Sequence, residues 1–194
     1  MTFPTKVAAV APPMVGQDII GNYYTYLYAN RFEQPMALLK NYLYASEFVS
    51  LRKATWDQIL IDIQSDDALK HIRLGIYDDL NGYPKNLIID AGEVPYVAPI
   101  QALTISFQSE VKRYWLILVS DTNEWLGEIS TSGVGGIAQS AGWTIGRPDL
   151  TRYGSIHSWR VAQAYGPLPA TFPAGASDLE DLVMGIALRL ASIP

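Results

Sequence analysis

The chain has few side chains suited to proton transfer or covalent chemistry, and most of them sit where strands and turns would want them anyway. There are two histidines, His71 and His157, and no cysteine, which removes thiolate nucleophiles, disulfides and cysteine metal sites. Each histidine lies in a segment that reads as strand, where a surface or hydrogen-bonded histidine is the commoner case. A Ser-His-Asp site around His157 would draw its partners from distant segments, and nothing in the sequence marks them. Asp62, Asp66, Asp67, Asp78 and Asp79 gather around two strand ends. Paired carboxylates are what glycosidases use, and Asp78, Asp79 and Asn81 are oxygen donors of the kind calcium takes. Asp-Asp before Asn-Gly is equally what a turn selects, and the spacing is not that of an EF-hand. The glycine run GVGG lacks the Gly-Lys-Ser/Thr of a phosphate loop, and neither a G-x-S-x-G elbow nor an H-E-x-x-H pair occurs. The expectation is a chain with no catalytic residue, no metal site and no cofactor.

Aromatic residues offer a different chemistry. Trp125, Trp143 and Trp159, with Tyr153, fall in the loop-rich second half, and flat exposed rings there could stack on a sugar. Core packing is the plainer role for each tryptophan. Of these, Trp125 and Trp143 are the candidate glycan contacts.

The elements that must position these residues read as strands. In HIRLGIY, Ile72, Leu74 and Ile76 alternate with His71, Arg73 and Tyr77, the two-residue period of a half-buried strand. Turn formers follow at Asp78, Asp79, Asn81 and Gly82, Pro84 lies beyond them, and LIIDAGEV supplies the second arm of a hairpin. TWDQILIDIQS sets Ile59, Ile61 and Ile63 against Leu60, Asp62 and Gln64. QALTISF sets Leu103, Ile105 and Phe107 against Thr104 and Ser106, and LVMGIALRL puts Ile186, Leu188 and Leu190 on one face. RYWLILVSD is apolar on both faces, as a central strand buried on both sides would be. FEQPMALLK and SDLEDLV could each form a turn or two of helix. Short strands separated by Gly, Pro, Asn and Asp indicate an all-β antiparallel β-sandwich of about eight strands, the jelly-roll number. TSGVGGIAQSAGWTIG, residues 131–146, carries five glycines and no formal charge, and reads as an extended surface loop.

Two parts are expected: an extended N-terminal arm over residues 1–38 and a jelly-roll-like sandwich over 39–194. The first thirty residues hold only two charged side chains, Lys6 and Asp18, and four tyrosines fall between 23 and 28. Such a segment could lie as an edge strand on its own subunit or dock on a neighbour, tyrosine giving large contact area with a polar tip. In the docking case Tyr23, Tyr24, Tyr26, Tyr28 and Phe32 are the partner-interface candidates. A formal net charge of −5, with no Lys/Arg cluster in the sequence, argues against the basic surface a nucleic-acid binder needs. No stretch approaches the roughly 20 apolar residues of a membrane helix. Pro12 and Pro13 break the first apolar run short of signal-peptide length, so an unprocessed terminus is expected.

Two stretches carry a resemblance. RLGIYDDLNGYPKNLIIDAGEV, at 73–94, resembles a pattern of bacteriophage structural proteins in which R-L-G-I-Y leads through N-G-Y-P-G to D-A-G-x-V. AYGPLPATFPAGASDLEDLVMGIALRL, at 164–190, is similar to the same family's A-Y-G-x-L-P-x-T-F-P run before its final strand. YWLILVSD, between them, resembles that family's Y-W-L-A-x-x-S-D strand. Lys85 stands where the family has glycine, and Gly185 where arginine is common. The resemblance spans about residues 55–191 and implies a virion component with a jelly-roll module, oligomeric and without catalysis. It points to capsid decoration (cement) proteins, tail fibres and receptor-binding tips, and offers no active-site residues. The absence of any shaft repeat favours a decoration protein, assembled in the host cytoplasm and carried in the phage particle. Its expected partners are its own copies, as a trimer, and the major capsid protein or other virion subunits. The alternative is a tail fibre or tail adaptor that recognises a host surface glycan.

Overall fold

The computed structural model describes residues 20–21, 23–24, 34–50, 52–63, 66–123, 125–130, 157–180 and 182–194. Among them there is no helix. In chain order the strands are β1 (Tyr23–Tyr24), β2 (Gln34–Ala37), β3 (Tyr42–Ser50), β4 (Ala54–Asp62), β5 (Asp67–Leu80), β6 (Tyr83–Tyr96), β7 (Ile100–Ser109), β8 (Lys112–Ser120), β9 (Trp125–Ser130), β10 (His157–Ala162), β11 (Ser177–Glu180), β12 (Leu182–Met184) and β13 (Ile186–Ser192). A four-stranded sheet, β1-β13-β4-β7, packs on a six-stranded sheet, β11-β10-β3-β8-β5-β6. A smaller sheet, β12-β9-β2, accompanies them. Every pairing is antiparallel. The protein is an all-β antiparallel sandwich.

Alternation decides which side chains meet between the two large sheets. Ile59 and Ile61 of β4, Ile105 and Phe107 of β7, and Ile186, Leu188 and Leu190 of β13 face the core from the four-stranded sheet. Tyr44 and Phe48 of β3, Ile72, Leu74 and Ile76 of β5, and Tyr114, Leu116 and Leu118 of β8 face it from the larger. Edge-to-face ring pairs, Phe48 on Trp56 and Phe107 on Tyr114, join the layers. Full burial of each aliphatic side chain contributes about 1.5–3 kcal/mol, so this slab dominates the stability.

The middle of the chain pairs in nested fashion: β5 with β6, β4 with β7, β3 with β8, alternating between the two sheets. The centre of that nest is a two-residue turn. Asn81 and Gly82 both have positive φ, 57° and 81°, the geometry of a type I′ hairpin whose twist matches its strands. Asp78 and Asp79 lie inside β5, and Tyr83-Pro84 opens β6, so the turn is narrower than the run of turn-forming residues suggests.

Strand β8 sits between β3 and β5. While Tyr114, Leu116 and Leu118 enter the inter-sheet core, Trp115, Ile117 and Val119 enter a second cluster on the outer face of the six-stranded sheet. The expectation of a strand buried on both sides holds. The two expected helical turns do not: FEQPMALLK contains β2, and SDLEDLV contains β11 and part of β12. Their short runs of helix-favouring residues are overridden by backbone ladders with β9 and β10.

Candidate functional site

The outer face of the six-stranded sheet would be a wide apolar surface if left bare. Leu43, Ala45, Tyr77, Trp115, Ile117, Val119 and Val161 all lie on it, and all are buried. The cover is the proline-rich segment 163–176, which crosses the face as a strap and inserts Leu168 and Phe172 into that cluster. Three prolines disfavour helix and hold the segment extended, so its apolar side chains project as pegs.

The strap is fastened along its whole length. At its start, Asn41, in a left-handed turn, accepts from Gln163 N through its carbonyl (2.9 Å) and from Tyr165 N through Oδ1 (3.0 Å). The Tyr165 hydroxyl donates to Glu93 Oε2 (2.8 Å), and Leu168 N donates to Asp90 Oδ2 (3.1 Å). Asp90 also receives Arg73 Nε at 2.8 Å and Gly92 N at 3.2 Å, so one carboxylate joins both hairpin arms to the strap. The Tyr77 hydroxyl donates to the Pro169 carbonyl. Leu87 N donates to Ala170 O, Phe172 N to Lys85 O, and Asn86 pairs with Thr171, so the strap also occupies part of the β6 edge. The Tyr83 hydroxyl closes the far end on Pro173 O at 2.9 Å. Phe172 lies edge-on to Tyr77 and Tyr83, and Tyr83 edge-on to Trp159.

Gly75 permits the closest approach. A Cβ there would stand 2.3 Å from Leu168 Cδ1 and 2.6 Å from the Ile89 carbonyl oxygen. The glycine of R-L-G-I-Y and the leucine of A-Y-G-x-L-P are thus two halves of one contact.

Electrostatics follow from this packing. Burial raises the Tyr77 hydroxyl well above the ordinary phenol range, with the Asp90 charge adding to it. Burial also raises Tyr165, helped by its hydrogen bond to Glu93. Both phenols stay protonated donors. Nearer the hairpin tip, Arg113 pairs with Glu47 (2.6 Å), and Trp115 Nε1 donates to Asp79 Oδ1 (2.9 Å).

The carboxylates singled out from sequence hold backbone. Asp78 accepts from Asn86 N and Nδ2, Asp79 from Gly82 N and Trp115, Asp66 from Ala98 N, and Asp67 from Leu69 N. Asp62 is buried near the end of β4. Among the described residues, no three His, Asp or Glu side chains are grouped to hold a metal ion. His71 is tied through its backbone, its N–H donating to Asp121 Oδ1 at 2.8 Å. His157 begins β10, opposite Glu180. Arg73, Asp90 and Tyr165, which tie the hairpin to the start of the strap, were not among the sequence candidates. Their only signal was membership of the two resembling stretches.

The candidate interface residues are divided. Tyr23 and Tyr24 form β1, paired with Arg189 and Leu188 of β13 in the same chain, which is the edge-strand arrangement. Tyr23 stays 45% exposed and donates to Gln58 Oε1 at 2.6 Å. Beside it Arg189 grips Asp57 through two bonds, and that hydrogen-bonded ion pair lowers the Asp57 carboxyl below its usual range. Tyr26, Tyr28 and Phe32 lie outside the described residues. Trp125 opens β9 opposite Ala37, and Trp143 lies outside the described residues.

The arrangement can hold chain to chain, with its donors and acceptors turned inward on one another. Comparison of the chain with protein-family profiles, with characterised proteins and with solved structures gave no match.

Proposed function

We propose that this chain is a non-enzymatic structural protein of a phage virion, built on a jelly-roll module, that binds the head shell as a decoration or cement protein. The observation that carries the reading is the strap. The two stretches that resemble the phage module lie far apart in sequence, yet they meet residue on residue: Gly75 against Leu168, Tyr77 on Pro169, Asp90 on Leu168 N. A pattern shared for structural reasons would take that form. The nested pairing of β3–β8, β4–β7 and β5–β6 supports the jelly-roll assignment, since rolling one long hairpin into a sandwich generates such pairs.

A fastened strap also suits a subunit that must keep its shape on a pressurised shell, because opening it requires breaking many contacts together. On this reading the protein acts as a symmetric oligomer, a trimer, on the major capsid protein, through the tyrosine-rich N-terminal segment that contains the exposed Tyr23. The test is a comparison of particles made with and without the protein. Heads lacking it should lose heat and osmotic resistance, and purified protein added back should bind them and restore it. Heads of unchanged resistance that bind no added protein would refute the proposal.

A further inference from the structure

Each large sheet has two edges, and three of the four are guarded. β1 and β11 are only two and four residues long, and β6 receives the strap at Lys85, Asn86 and Leu87 and carries Asp90, Glu93 and Pro95 along its remainder. The fourth, β7, is a ten-residue edge with no charged side chain and no proline, and among the described residues no strand lies on its outer side. Long uncharged edges are the ones that accept another strand, because their outward N–H and C=O groups are left to water.

The side chains along β7 suit a second copy of the same strand. Its ladder with β4 is regular from Ile100 to Thr104 and becomes irregular only between Thr104 and Phe107. Across Ile100–Thr104 the exposed side chains are Ile100, Ala102 and Thr104, with Ile100 55% exposed. Two such strands laid antiparallel about a two-fold axis at Ala102 would set Ala102 against Ala102 and Ile100 against Thr104. The smallest side chain falls on the axis, an exposed isoleucine gains a partner at each end, and no like charges meet.

We infer that β7 is a self-association edge, through which two copies of this chain join antiparallel across Ile100–Thr104 into one continuous eight-stranded sheet made from their two four-stranded sheets. A five-residue strand pair is a small contact, of the weak and transient size class, and becomes effective where many copies are held side by side. A two-fold contact cannot close a trimer, so in a trimeric protein it joins one trimer to the next. The inference rests on the edge itself and does not depend on the virion assignment.

The absence of native cysteine makes the test direct. Directly opposed residues of an antiparallel pair have Cβ atoms about 4.5–5.5 Å apart, close enough for a disulfide after slight adjustment. In purified full-length protein under mild oxidation, Ala102→Cys should give disulfide-linked pairs about tenfold faster than Val111→Cys, an exposed control in the turn between β7 and β8. A mixture of Ile100→Cys and Thr104→Cys chains should cross-link to each other in preference to themselves, which fixes the antiparallel register. Ala102→Lys, which places like charges on the axis, should weaken self-association in sedimentation velocity about fivefold or more while leaving the unfolding midpoint unchanged. Cross-linking of Ala102→Cys at the control rate, or undiminished association of Ala102→Lys, would overturn the inference. Self-pairing by a protein absent from particles would refute the virion reading and leave this contact standing.

Discussion

Replacing Gly75 by alanine is the sharpest probe of the strap. The added methyl would meet Leu168 Cδ1 at 2.3 Å and the Ile89 carbonyl oxygen at 2.6 Å. Ordinary contact requires about 3.5–4.0 Å between carbons, so Leu168 must retreat by more than about 1 Å from its place in the outer cluster. A leucine tip can rotate away; the Ile89 carbonyl belongs to the hairpin backbone and cannot move without disturbing the β5–β6 ladder. Overpacking of a filled core costs about 1–3 kcal/mol, and the backbone clash places Gly75→Ala at the upper end. Leu168→Ala alone should cost about 2–4 kcal/mol, since Leu168 is only 6% exposed. The double variant should be less destabilised than the sum, by about 1 kcal/mol, because removing the leucine relieves one of the two clashes. Urea unfolding followed by tryptophan fluorescence reads all three, with Trp115 and Trp159 in or against the covered cluster. Strict additivity, or a Gly75→Ala cost below about 0.5 kcal/mol, would show that the strap does not rest on this glycine.

Tyr77→Phe removes the hydroxyl that donates to the Pro169 carbonyl and should cost about 1–2 kcal/mol in the same assay, with faster hydrogen exchange at the Leu87 and Phe172 amides. Asp90→Ala strips Arg73 and Leu168 N of their shared acceptor and should cost about 1–3 kcal/mol, discounted for the partial exposure of the ion pair; a loss insensitive to added salt would point to the backbone bond as the larger part. The strap should also loosen in alkali. Tyr77 and Tyr165 have folded pKa values raised chiefly by burial, above the ordinary phenol value of 10.0, so their contribution is complete below about pH 10. Above that pH the unfolded chain releases phenolic protons that the folded chain keeps, and stability falls; tyrosinate absorbance and the urea midpoint, followed together through this range, should change in step, and the double variant Tyr77→Phe/Tyr165→Phe should flatten the fall.

The sandwich was legible in the sequence because its core strands each carry their own period. Ile59, Ile61 and Ile63 recur at every second position, and Tyr114–Val119 is apolar on both sides, so either stretch declares its environment without reference to the rest. The short strands were not legible. Residues 34–37 and 177–180 have no decisive period of their own and take their conformation from β9 and β10, so thirteen strands stand among the described residues where about eight were expected. The fastening residues were hidden for a deeper reason. Arg73, Asp90 and Tyr165 are ordinary surface types in sequence, and their roles arise only when the β5–β6 hairpin meets the segment that follows β10. The carboxylates at 78 and 79 were conspicuous and turned out to hold a turn, their oxygens taken up by Asn86, Gly82 and Trp115.

The proposal that this chain decorates a phage head is tested most directly by imaging purified particles for this protein's density. Copies arrayed at fixed lattice positions on the outside of the head, with the sandwich fitting the density, are what the account predicts. Density for the protein at the tail tip alone, or a purified particle that does not contain it, would contradict the account.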